Sequence, residues 1–122
     1  MTVASLTSPR LLLLVLPALL PLGGCAGAAA ASVTVYTAAG SRQCEAPPPE
    51  PQAAAVARLV AAGLEPRSPR CGHDGRMRAA MCGLADGRIV VVDLPASALD
   101  GARNLGWKPL SELPDARVQA CD

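Results

Sequence analysis

Five cysteines, Cys25, Cys44, Cys71, Cys82 and Cys121, constrain this 122-residue chain more than any other feature. Phenylalanine is absent, and Tyr36 and Trp107 are the only aromatic residues. A core must therefore be assembled from Val, Leu, Ile and Ala, each of which buries less surface than an aromatic ring. A small domain built that way is marginally stable, and covalent cross-links decide whether it folds. Cysteines cross-link only where thiols are oxidised, so the compartment is the first question.

Residues 11–22 read Leu-Leu-Leu-Leu-Val-Leu-Pro-Ala-Leu-Leu-Pro-Leu, uncharged and preceded by one basic residue, Arg10. About twelve residues rising 1.5 Å each fall well short of a hydrocarbon core of roughly 30 Å. The run instead fits the apolar region of a secretory signal, where Pro17 and Pro21 are tolerable. It closes on Leu22-Gly23-Gly24-Cys25, which resembles the lipobox of bacterial prolipoproteins. That resemblance implies that residues 1–24 are a removable signal peptide and that Cys25 becomes an acylated N-terminus. Residues 25–32 would then be a flexible spacer. Two or three acyl chains, at roughly 0.8 kcal/mol per buried methylene, make such a membrane anchor essentially permanent. Ala26 after the cysteine implies, for a two-membrane bacterium, a place in the cell envelope on the outer membrane, facing the periplasm. A competing small-x-small cleavage between Ala26 and Ser32 would discard Cys25 with the leader. Either route leaves an even set, Cys44, Cys71, Cys82 and Cys121, which allows three disulfide pairings. The favoured expectation is Cys71–Cys82 with Cys44–Cys121, the second tying the C-terminal tail to the loop after the first strand. On the chain-entropy account these are worth about 3 and about 4.5 kcal/mol.

Val33-Thr34-Val35-Tyr36-Thr37 alternates β-formers and predicts a strand. Residues 38–50 turn small and proline-rich, closing on Ala46-Pro47-Pro48-Pro49-Glu50, a loop stiffened towards polyproline II. Pro51 suits a first helical turn, and Val56, Leu59, Val60 and Leu64 recur at helical spacing, predicting a helix over 51–62. Gly63-Leu64 reads as a left-handed stop with its apolar contact. Arg67 to Cys71 is a poor strand because Pro69 lacks an amide donor, so any pairing belongs at an edge. The apolar run of Arg88-Ile89-Val90-Val91-Val92-Asp93-Leu94 predicts the centre of a sheet. Ser97 and Asp100 have the spacing of a capping box, with Leu99, Ala102 and Leu105 on one face of a second helix. Lys108 to Leu113 predicts a last short strand.

Gly63-Leu64-Glu65-Pro66-Arg67-Ser68 returns 43 positions later as Gly106-Trp107-Lys108-Pro109-Leu110-Ser111. Each copy follows a strand and a helix. Strand–helix–strand twice over predicts an α+β fold over residues 33–122: a small ferredoxin-like βαββαβ plait with an antiparallel sheet, stapled by disulfides. Residues 71–87 are then an inserted connection or hairpin.

That insertion is the one place where chemistry concentrates. Cys71-Gly72-His73-Asp74-Gly75-Arg76 is echoed by Cys82-Gly83-Leu84-Ala85-Asp86-Gly87-Arg88, and Asp-Gly twice marks tight turns. His73, Met77 and Met81 offer soft ligands suited to copper(I), an alternative to the simpler expectation that both methionines fill the core. No zinc-type Cys-x-x-Cys pair is present, and cysteine spacings of 27, 11 and 39 also exclude a thioredoxin-like redox site. With one histidine and no Gly-x-Ser-x-Gly elbow, a conventional hydrolase has too few parts. Asp74 and Asp86 are better explained as turn residues than as a glycosidase pair. Neither enzyme activity nor a cofactor is expected.

Eleven Lys and Arg face ten Asp and Glu, and Arg10 lies in the leader, so the exported part is formally neutral. Nothing there draws nucleic acid. The strand–helix plan resembles the sporulation-related peptidoglycan-binding repeat, although that family's Arg-Val-x-Val-Gly-Pro-Phe stretch is absent. The resemblance implies a binding surface across the sheet. The expectation is a lipid-anchored envelope protein with a non-enzymatic binding or structural role, its partner a protein or peptidoglycan. Periplasmic copper binding is the alternative.

Overall fold

A computed structural model describes residues 29–121. Cys25, its lipobox and the first part of the spacer lie outside the described residues. The elements run β1 (Ser32–Ala38), α1 (Pro51–Ala61), β2 (Arg67–His73), β3 (Arg88–Pro95), α2 (Leu99–Asn104), β4 (Lys108–Pro109) and β5 (Arg117–Gln119). Single 3₁₀ turns occupy Ala96–Ala98 and Leu110–Glu112. The result is a small α+β domain with a five-stranded antiparallel sheet in the order β4-β1-β3-β2-β5, two helices and two disulfides. Among the described residues, no helix is long and apolar enough to cross a membrane.

β3 occupies the centre of the sheet, as its apolar run requires, and alternates its side chains between two layers. Val90, Val92 and Leu94 meet Ala55 and Leu59 of α1, Ala102 of α2, Val35 and Trp107 on one face. Ile89 and Val91 point the other way, onto Leu113 with Leu110, Ala116 and Val118 beside it. Both helices therefore cover one face, and the C-terminal tail covers part of the other.

The repeated Gly-apolar-charge-Pro sequence is one helix stop used twice. After α1, Gly63 donates its amide to Val60 O (2.9 Å) and Leu64 to Leu59 O (3.0 Å). After α2, Gly106 donates to Arg103 O and Trp107 to Ala102 O, both at 3.0 Å. Each is a Schellman closure, and each glycine takes the positive φ, 78° or 84°, that the closure needs. Each delivers the next side chain, Leu64 or Trp107, to the helix-side core.

Several expectations are corrected. The Ser97–Asp100 capping box does not form: Ser97 sits inside the 3₁₀ turn, and no side chain caps α2. Leu105 is exposed rather than on the buried face of that helix. Residues 67–73 form a full strand, because a register shift between Arg67 and Arg70 carries Pro69 outside the ladder. Its first half lies at an edge, but Cys71, Gly72 and His73 are flanked by β5. The strand expected over 108–113 is two residues long and gives way to a 3₁₀ turn. That turn sends the chain beneath the sheet to the far edge, where it re-enters as β5.

The disulfide pairing is also corrected. The bridges are Cys44–Cys82 and Cys71–Cys121, not Cys71–Cys82 and Cys44–Cys121. Pairing of β5 with β2 sets Gln119 opposite Cys71, which leaves Cys121 at hand, with Cα atoms 4.8 Å apart. Meanwhile Gln43 donates to Leu84 O (2.8 Å) and accepts from the Gly83 amide (3.0 Å), which brings Cys44 to Cys82. The loops closed span 38 and 50 residues, worth about 4 kcal/mol each on the chain-entropy account.

Peptide mapping without reductant should recover peptides of residues 44 and 82 joined, and those of 71 and 121 joined. Gly72 faces Val118, and a Cβ there would run into the Arg117 carbonyl. Gly72→Ala should therefore cost about 1–3 kcal/mol in thermal unfolding and remove amide-exchange protection at 117–119 first.

Candidate functional site

At one end of the sheet, the loop after β1 and the long connection between β2 and β3 fold against each other. The two Asp-Gly sequences in that connection build the same local structure. Asp74 Oδ1 accepts the Arg76 amide (3.1 Å), and Asp86 Oδ1 accepts the Arg88 amide (3.0 Å). Gly75 and Gly87 follow at φ 73° and 88°. The Asp74 amide then donates to Gly87 O (2.9 Å), tying one turn to the other.

Asp74 is only 8% exposed, so its charge needs a partner. Arg78 supplies it, donating to both carboxylate oxygens, with Nη1 2.8 Å from Oδ1. The Arg78 bonds outweigh burial, the Arg76 amide adds to them, and the carboxyl falls from 3.8 to about 2. The Arg78 guanidinium is raised in turn, chiefly by its bond to Asp74. Burial pushes Asp86 up, but the Ser41 hydroxyl (2.6 Å), the Arg88 amide and the Arg88 charge together leave it below its ordinary value. His73 Nε2–H donates to the Asp86 carbonyl (2.7 Å), and Nδ1 stands 3.9 Å from Asp74 Oδ1. Gly87 lies within this cluster, where a Cβ would come 2.6 Å from both Arg78 Nη1 and His73 Cε1.

Gln43 clamps the rest of the connection. Its side chain donates to Ala79 O (3.0 Å) and accepts the Met81 amide (3.1 Å), while its backbone pairs with residues 83 and 84. Cys44–Cys82 seals the junction. Above these turns lies a cleft of about 370 Å³. Tyr36, Ala38 and Ile89 contribute apolar surface, and Arg42, Arg76, Arg78 and Arg88 stand around it with Asp74 and Asp86. Four arginines against two committed aspartates make this concavity positive on a formally neutral domain. A wider trough of about 860 Å³ lies past Pro47 and Pro48, with His73, Arg117 and the Cys71–Cys121 bridge along it. It lacks the buried ion-pair framework of the smaller cleft.

Met77 and Met81 are not core fillers, at 100% and 60% exposed. His73 is part of the turn cluster, one nitrogen engaged by a backbone carbonyl. Cys44, Cys71, Cys82 and Cys121 are all in disulfides, and among the described residues no group of three or more His, Cys, Asp or Glu could hold a metal ion. A carboxyl near 2 is ionised at neutral pH and only weakly basic, so Asp74 serves as a structural anchor. Ser41, Arg42, Gln43 and Tyr36 were not singled out from sequence. The first three partner residues about 36–45 positions away, and no local pattern marks such a relation. The chain matches no protein-family model, no curated protein and no solved structure.

A folded-state pKa below the unfolded one stabilises the fold fully above about pH 4, and that contribution is lost as pH falls through about 2. Asp74 should thus supply about 2 kcal/mol at neutral pH, before solvent screening, and none near pH 1. Asp74→Asn should lower neutral-pH stability by about 1–3 kcal/mol and flatten the acid limb of the stability curve between pH 4 and 2. Urea unfolding at several pH values measures both effects.

Proposed function

We propose that this protein is anchored in a bacterial cell envelope by lipid on Cys25, on the outer membrane facing the periplasm. Its domain is a non-enzymatic binding or structural module whose partner is peptidoglycan or another envelope protein. The observation that carries the reading is cysteine usage. Cys44–Cys82 and Cys71–Cys121 account for every cysteine but one, and that one closes the lipobox-like Leu22-Gly23-Gly24-Cys25. Two disulfides suit an oxidising compartment outside the cytoplasm. The first strand opens at Ser32, so a short stretch of small residues separates the anchor from the domain.

The finer architecture we propose is a ferredoxin-like plait extended by one strand. In its support, α1 links β1 to β2 with β3 lying between them, and α2 links β3 to β4 with β1 between. That is the split βαβ connection made twice, with both helices contributing to one core. β5 is the addition, and the tail leading to it occupies part of the face that such a module would offer across its sheet. Binding therefore shifts to the sheet end, where the arginine-rimmed cleft lies.

Membrane fractionation with intact-mass analysis tests the anchor. The native protein should carry a diacyl- or triacylglyceryl mass on Cys25 and lack four hydrogens at the other cysteines. Cys25→Ser should be unacylated and recovered in the soluble fraction. An unmodified N-terminus beyond residue 25 overturns the anchor, and failure of the oxidised protein to bind purified sacculi removes peptidoglycan as partner.

A further inference from the structure

Resting on that binding reading, we infer that the 370 Å³ cleft is a receptor for the carboxylate of a short peptide, with Arg42 and Arg76 as the contacting groups. Of the four arginines, Arg78 and Arg88 are paired with aspartates and Arg42 and Arg76 are not. Arg78 is committed to Asp74 through both terminal nitrogens. Arg88 has its Nε 3.4 Å from Asp86 Oδ2. Arg42 gives one nitrogen to Gly83 O (2.7 Å), and this fixes where its guanidinium sits without neutralising it. Among the described residues, the Arg76 side chain has no hydrogen-bond or ion-pair partner, although its amide is pinned by Asp74.

The pairs Asp74–Arg78 and Asp86–Arg88 thus cancel, and Arg42 and Arg76 remain as net charge around one concavity. A guanidinium presents a planar fork of donors that matches a carboxylate bidentately, and it holds that charge at any physiological pH. Tyr36, Ala38 and Ile89 give the cleft an apolar surface suited to the aliphatic part of a peptide. The cleft is also pre-formed: the Cys44–Cys82 bridge, the Gln43 clamp and the buried Asp74 carboxylate hold its walls before any ligand arrives. Pre-organisation of this kind reduces the ordering cost of binding.

The same chemistry is offered by peptidoglycan stem peptides and by acidic protein segments, and titration calorimetry separates them. The probes are soluble muropeptides, the same muropeptides methyl-esterified at their carboxyls, and a short glutamate-rich peptide. Each is titrated into the full chain as purified, disulfides intact. One of the two free-acid probes should bind, about tenfold or more tighter than the other, which identifies the source. Esterification, Arg42→Gln and Arg76→Gln should each weaken binding by about tenfold, whereas Arg103→Gln on α2 should leave it unchanged. Binding that survives esterification, or that is equal in wild type and both cleft variants, overturns the proposal, as does binding of neither probe. Esterification needs no altered protein, so a folding defect cannot produce that result. Retention on sacculi that persists in Arg42→Gln and Arg76→Gln would leave the envelope-binding reading standing while removing the cleft from it.

Discussion

β3 presents apolar side chains to both sides of the sheet, and nearly everything else in the domain serves to cover one side or the other. Val90, Val92 and Leu94 need a layer above them, and Ile89 and Val91 need one below. A chain with only two aromatic residues cannot meet either need with a few large rings. Two helices supply the first layer, with Trp107 buried among them. The tail supplies the second with Leu113, beside Leu110, Ala116 and Val118. These thin layers explain the disulfides: Cys71–Cys121 fastens the tail that forms the second cover, and without it a few apolar contacts would oppose the entropy of ordering the tail.

The polar end of the domain follows from the same arrangement. β1, β2 and β3 all reach that end, so the loop after β1 and the connection between β2 and β3 meet there and must satisfy their backbone groups. Two Asx turns, an Asp74–Arg78 ion pair and the Gln43 clamp do so. Because the aspartates are consumed in that task, the arginines around them outnumber the available negative charge. A local positive field thus arises in a chain with little net charge, through commitment of one sign to structure rather than through composition.

The errors of sequence reasoning share a cause. Pairing Cys71 with Cys82 favours the shorter loop, which is sensible if the 71–87 segment closes on itself. Instead Gln43 draws residues 81–84 to the loop after β1, and β5 draws Cys121 to β2. β5 has one β-former in three residues, Val118, and so leaves almost no pattern; pairing with β2 creates it. Met77 and Met81 look like core by hydrophobicity, but the turns at Gly75 and Gly87 hold their segment on the surface. Ser97 has capping spacing, yet a 3₁₀ turn begins before it and takes the helix start away.

What the sequence determined by itself was local or periodic. The central strand was legible in the run Ile89 to Leu94, α1 in Pro51 and the spacing of Val56 and Leu59, and both helix stops in Gly63-Leu64 and Gly106-Trp107. Both Asp-Gly turns belong with them, since each depends on neighbours within a few positions. What only the tertiary structure decided was which distant segments meet: the disulfide partners, the fifth strand, the tail beneath the sheet, and the arginine-rimmed cleft between loops about forty residues apart. Those contacts are selected by burial of β3 on both faces and by the need to pair backbone and charge at the sheet end. Both act through space, and neither leaves a mark on adjacent residues.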